Sequence, residues 1–189
     1  WHLGLRYDFV EKLPDKIRYS QSIAIQITND TSIYNSWNIM LPNIDEDWLL
    51  FLGYGDTIHP TFDESHWTSI LGSHLDKDMV FGDTEIVTEN YEVLYTKTNK
   101  NVLPRFKYRL GRPDAPVHPE VFHRNYKTEN RRVMFNEDYE IAADYHWMLG
   151  KIIGGNFLYI PEKVSQQITG GKSQDPSNIH QVDLEITDI

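Results

Sequence analysis

The chain has 189 residues, of which 40% are hydrophobic, 24% charged and 13% aromatic, a length that supports one domain with its own core. Lys and Arg (18) against Asp and Glu (28) leave a net charge of −10, which excludes a surface of clustered cations gripping a phosphate backbone. The absence of cysteine excludes a disulfide scaffold, thiolate zinc sites and a cysteine nucleophile, and no apolar run approaches the roughly eighteen residues that cross a bilayer.

In chain order, residues 8–19 mix helical spacing with a breaker at Pro14. Ser22–Ile27 alternates apolar and polar residues and runs into Asn29-Asp30, the pattern of a strand entering a turn. Ile33, Trp37 and Met40 then recur at helical spacing, with Thr31 or Ser32 as the cap, and Pro42 with the acidic Asp45–Asp47 closes that helix. Trp48–Leu52 is an uninterrupted apolar run stopped by Gly53-Tyr54-Gly55-Asp56, which predicts a strand buried on both faces.

After Pro60, the residues Phe62, Trp67, Ile70, Leu71 and Leu75 predict a second helix. Two short strands follow at Met79–Phe81 and Glu85–Thr88, and Tyr91–Thr96 pairs with the second across Glu89-Asn90. Residues 97–116 read as a long surface loop, the kind that often carries function. Ala142, His146, Leu149 and Ile153 share a helical face that ends at Gly154-Gly155, and Asn156–Ile160 reads as a strand. Asp175-Pro176 places a cap before a first-turn proline and opens a last helix with Ile179, Val182 and Ile186. Strands alternating with helices predict a single α/β domain over residues 1–189, with a mostly parallel sheet flanked by helices.

Several residue groups suit chemistry. Asp56 stands beyond the carboxyl end of an apolar strand, where α/β sheets bind ligands; it reads as a turn residue or as a holder of a divalent cation. His59, Asp63 and His66 have a spacing that can ligate zinc, although Pro60 biases His59 out of the helix. Asp144, on the first turn of its helix, suits a general base, or else simply complements the helix dipole. His118 follows the long loop and reads either as a substrate-facing group or as a loop histidine bonded to a carbonyl. Gly170-Gly171-Lys172-Ser173 lacks the spacing of a phosphate-cradling loop.

In order, the pieces Asp30–Asn38, Trp48–Asp56, Val80–Asp83, His118–Phe122, Ile141–Tyr145 and Gly170–Ser173 resemble family 2 glycosyltransferases, in particular the bacterial colanic-acid and polysaccharide-biosynthesis type. The resemblance runs from about residue 8 to the C-terminus. It implies a GT-A-like, Rossmann-like fold that lacks its first βαβ portion, so that the chain is the C-terminal two-thirds of a catalytic domain truncated at its N-terminus. It implies inverting transfer of a sugar, of the hexosyltransferase type, from a nucleotide-diphosphate donor to a hydroxyl acceptor, glycan or lipid-linked, in surface-polysaccharide assembly.

On the matching positions the resemblance assigns Asp144 and His118 to catalysis, and Asp30, Tyr34, Asn38 and Gly55 to the donor. It assigns Asp56 to a Mg²⁺ or Mn²⁺ ion. It also implies a cytoplasmic location, with peripheral contact to the inner membrane, and no nucleic-acid partner. Ser32, Asn35 and Ile39 depart from the family's residues and favour the alternative, a glycosyltransferase-like module that binds without catalysis.

Overall fold

The computed structural model of the chain describes residues 2–5, 24–27, 32–53, 55–102, 115–126 and 134–188. Two short strands, β1 (His2–Leu5) and β2 (Ala24–Ile27), pair in parallel. The remaining strands are β3 (Trp48–Leu50), β4 (Thr57–Ile58), β5 (Met79–Val87), β6 (Val93–Lys97), β7 (Val121–Arg124) and β8 (Phe157–Ile168). They form one sheet in the order β3-β7-β5-β8-β4, with β6 also paired to β5. Four helices accompany them among the described residues: α1 (Ile33–Met40), α2 (Glu64–Ser73), α3 (Ala143–Gly154) and α4 (Ile179–Asp188). No helix among the described residues is long and apolar enough to cross a membrane.

The core follows from strand alternation. On β5, Met79 and Phe81 face one side and Val80 the other, because successive side chains point to opposite faces of a strand. Met79 and Phe81 pack with Val121 of β7 against Met148 and Ile152 of α3. Val80 packs with Phe122 and Val164 against Trp67 of α2. Trp67 is 1% exposed, and truncating it to alanine costs about 3–5 kcal/mol. A third cluster joins Tyr34 and Leu41 to Leu49, Phe51, Phe135 and Ala143, fastening α1 to the start of α3.

The α/β sheet flanked by helices is present as expected, but its pairing is mixed rather than mostly parallel. Within the larger sheet only β5 and β8 run parallel; β3-β7, β7-β5, β5-β6 and β8-β4 are antiparallel. A parallel pair needs a crossover, which α3 helps to supply between β7 and β8, whereas antiparallel neighbours need none. The apolar run at Trp48 is not a strand buried on both faces: β3 is an outer strand, with Leu49 buried and Trp48 and Leu50 half-buried.

The two short strands expected at 79–81 and 85–88 are one continuous strand, buried throughout. Gly82 makes that continuity possible. A Cβ there would stand 2.3 Å from the Glu162 carbonyl oxygen, where β8 crosses with a shift in register.

Two expected helix ends hold: the Ser32 hydroxyl caps α1 by accepting the Asn35 N–H, and Gly155 closes α3 in the left-handed conformation at φ 70°. Asp63, read along the chain only as a possible zinc ligand, caps α2 by accepting from Ser65 and His66. Residues 8–19, and residues 103–114 of the expected loop, lie outside the described residues.

Candidate active site

A cleft of about 1460 Å³ opens over the ends of β3 and β8, between α1, the start of α3 and α4. Its described lining carries the carboxylates of Asp56, Glu89, Glu140 and Asp144 against the ammonium of Lys97. That balance repeats the acidity of the whole chain at the place where a ligand would sit.

Asp144 lies on the first turn of α3, and its two oxygens have different surroundings. Oδ1 accepts the Tyr145 N–H at 2.7 Å and the Tyr34 hydroxyl at 3.1 Å. Oδ2 has neither bond and stands 3.9 Å from His118 Nδ1, too far for a direct hydrogen bond. The single Tyr34 hydroxyl proton is shared with the Ile141 carbonyl oxygen, the nearer of the two acceptors at 2.6 Å. Burial and the neighbouring Asp144 push the Tyr34 phenol far up, so it remains a neutral donor.

His118 begins a single 3-10 turn, His118–Glu120, and is 7% exposed. Its ring stacks on Phe51 with centroids 5.2 Å apart and packs edge-on against Phe135 and His123. Burial pushes its pKa down, against a smaller upward pull from Asp144; the ring is therefore neutral at physiological pH.

Behind it, Glu120 is fully buried and takes the Val117 N–H and the Asn99 amide on Oε1, each at 2.7 Å. Burial pushes the Glu120 carboxyl up to about 8. The bond to Val117 fixes the backbone immediately before His118.

Asp56 closes the turn that follows β3. Its Oδ2 accepts the Gly53 N–H at 2.9 Å while its own N–H donates to the Gly53 carbonyl. A Cβ on Gly53 would come within 3.0 Å of that Oδ2, and Gly55 holds φ +85°, a conformation that favours glycine. Burial pushes the Asp56 carboxyl up to about 6, only partly opposed by the Gly53 N–H. Its other oxygen takes no hydrogen bond from a described residue.

The structure thus brings Asp56, Gly55, Tyr34, His118 and Asp144 to one cleft. Asn38 is placed differently: its amide donates to the Phe135 carbonyl and to Glu137, and its oxygen accepts the Phe135 N–H, so it ties α1 to the segment before α3. Asn35 donates to the same Glu137. Asp30 lies outside the described residues.

The zinc reading of His59, Asp63 and His66 is overturned. His59 pairs with the buried Glu85 at 3.0 Å, Asp63 caps α2, and His66 pairs with Glu162 at 3.0 Å. No group of three or more metal-holding side chains occurs among the described residues.

Sequence reading missed Glu120 and Glu185. Glu185 binds the backbone that leads into α3, and its one sequence signal is a carboxylate set into the Val182–Ile186 face of the last helix.

No family model matches the chain, and no curated protein matches it in sequence. Solved structures do. S. aureus TarS residues 1–349 in complex with UDP aligns with a TM-score of 0.62 at 11% identity, over 99% of this chain and 64% of that one. The same fragment in complex with UDP-GlcNAc gives 0.57 at 14% identity, over 96% of this chain and 52% of that one. TarS itself gives 0.59 at 11% identity, over 96% and 31%. The chain therefore spans less than two-thirds of each of these structures, and what it has in common with them is the fold, that of a GT-A-type glycosyltransferase.

Proposed function

We propose that the chain carries the acceptor-side chemistry of an inverting, family 2-type glycosyltransferase, moving a hexose from a nucleotide diphosphate to a hydroxyl acceptor in bacterial polysaccharide assembly. The observation that carries this reading is the divided carboxylate of Asp144. Its Oδ1 is held by Tyr34 and the Tyr145 N–H, which leaves Oδ2 without a hydrogen bond from a described residue, on a residue that lines the cleft. Glycosyl transfer passes through an oxocarbenium-like state, and the attacking hydroxyl must lose its proton as the new bond forms. Asp144 Oδ2 takes that proton. A neutral His118, with Nδ1 on the same side, orients the acceptor hydroxyl or the leaving oxygen. TarS structures solved with UDP and UDP-GlcNAc support a uridine-diphosphate sugar as donor.

Gly55 and Asp56 form the rim for the diphosphate. Among the described residues Asp56 offers the cleft one unengaged oxygen, and Mg²⁺ commonly binds through one or two carboxylates together with substrate phosphates and water. The donor set fits such an ion, Mg²⁺ or Mn²⁺, shared between Asp56 and the donor. When bound, the ion neutralises charge that develops on the diphosphate. In this reading Asp30 is assigned to the donor by the family resemblance, while Tyr34 serves the base and Asn38 the scaffold.

The test is sugar-nucleotide turnover with and without added acceptor in Mn²⁺, comparing the wild type with Asp144→Asn. A lost general base lowers transfer by about a hundredfold or more, with donor binding by calorimetry retained. Unchanged turnover in Asp144→Asn removes Asp144 as the base. Tight donor binding without any turnover in the wild type supports the non-catalytic module instead.

A further inference from the structure

The segment Glu140–Ala142 leads into α3 without a side-chain cap of its own, since the N-cap residue is Ala142. Its N–H groups are gathered by a carboxylate on α4. Glu185 Oε1 accepts from Glu140 at 2.9 Å, and Oε2 accepts from Ile141 at 2.9 Å and from Ala142 at 2.8 Å. Gln181, one turn earlier on α4, donates to Oε1 at 2.8 Å. Burial pushes the Glu185 carboxyl up, but these hydrogen bonds together outweigh it and hold the group below the usual range.

Glu185 is the buried residue of α4, at 5% exposure, while Val182 and Ile186 beside it line the cleft. Ile141 is gripped from two sides. Its N–H goes to Glu185 and its carbonyl receives the Tyr34 hydroxyl. Asp144 follows at once on the first turn of α3. Any shift of residues 140–142 moves Oδ2 relative to His118 and to a bound hydroxyl.

We propose that Glu185 is a positioning residue, acting through the backbone of residues 140–142 to set where Asp144 Oδ2 stands in the cleft. This rests on the reading of Asp144 as the base. The inference goes beyond a fold contact because the groups Glu185 holds are the ones that carry the base. A misplacement of about 1 Å remote from the chemistry can cost on the order of a hundredfold in rate.

The experiment compares Glu185→Ala and Glu185→Gln in the intact protein, by steady-state kinetics and by amide hydrogen exchange over residues 138–146. In Glu185→Ala, kcat falls about ten- to a hundredfold while KM for the donor stays at the wild-type value, and exchange at 140–142 accelerates. Glu185→Gln keeps the shape and one carbonyl acceptor, so it restores part of kcat and part of the protection. It also serves if the alanine variant does not fold. Wild-type kcat in Glu185→Ala overturns the proposal, as does a loss of kcat with exchange at 140–142 unchanged. If the wild type transfers no sugar at all, the reading of Asp144 falls separately; unchanged exchange at 140–142 in Glu185→Ala would then still remove the clamp.

Discussion

The Tyr34 hydroxyl lies 3.1 Å from Asp144 Oδ1 and 2.6 Å from the Ile141 carbonyl oxygen, so one phenol on α1 holds both the carboxylate and the backbone that precedes it. Tyr34→Phe keeps the ring packing against Trp37 and Phe135 and deletes only the oxygen. Leaving those acceptors without their donor costs about 1–3 kcal/mol, readable in urea unfolding. In the proposed reading the same variant lowers kcat with donor KM unchanged, because among the described residues the carboxylate is then held by the Tyr145 N–H alone. A fall in donor affinity alone would instead return Tyr34 to the donor site.

Asp56 gives a pH dependence with a definite sign. Burial raises its carboxyl from the ordinary 3.8 to about 6, so the folded chain holds this proton more tightly than the unfolded one. The stability it contributes is complete below about pH 4 and is lost as pH rises through about 6, at up to about 1.4 kcal/mol per pH unit. Asp56→Asn removes that slope, and thermal melts of the two chains from pH 4 to 7 reveal it. In the proposed reading, donor binding that depends on Mn²⁺ weakens as pH falls through about 6 in the wild type and is absent from Asp56→Asn. Calorimetry with UDP and Mn²⁺ at pH 5 and pH 7.5 checks this.

Gly82→Ala places a Cβ 2.3 Å from a backbone oxygen of β8, and no rotamer change relieves it. The expected outcome is a loss of several kcal/mol or failure to fold, read as a drop in Tm or in soluble yield. Gly150→Ala, with nothing within 4 Å of the added Cβ and a helical backbone, is the matched control and is neutral or stabilising.

What could be read along the chain was local. Ser32, Gly155 and the Asp175-Pro176 pair carry their helix ends in their own chemistry, and each lies at or beside a helix boundary in the structure. What could not be read depends on distant partners. Gly82-Asp83 looks like a turn in isolation, yet Asp83 accepts the Asn99 N–H and the Tyr159 hydroxyl while Gly82 makes room for β8. Pro161 suggests the end of a strand, yet β8 continues to Ile168 because its register shifts there rather than stopping.

At the site the same division holds. Asp144, His118 and Asp56 could be singled out by residue type and order. Tyr34, which holds Asp144 Oδ1, and Glu185, which holds the backbone leading to it, come from residues far away in sequence. Asn38 shows the converse: a matched motif position whose side chain is used to tie α1 down.

The ring assembly behind His118 has a consequence for where protons travel. His118 Nε2 and both ring nitrogens of His123 are buried without a hydrogen-bond partner among the described residues, and Trp147 closes the far side, 4.7 Å from His123. Among the described residues, no side-chain relay leads from His118 into the interior. In the proposed reading, a proton taken from an acceptor therefore finds no side-chain path inward among the described residues and leaves at the mouth of the cleft, with the products.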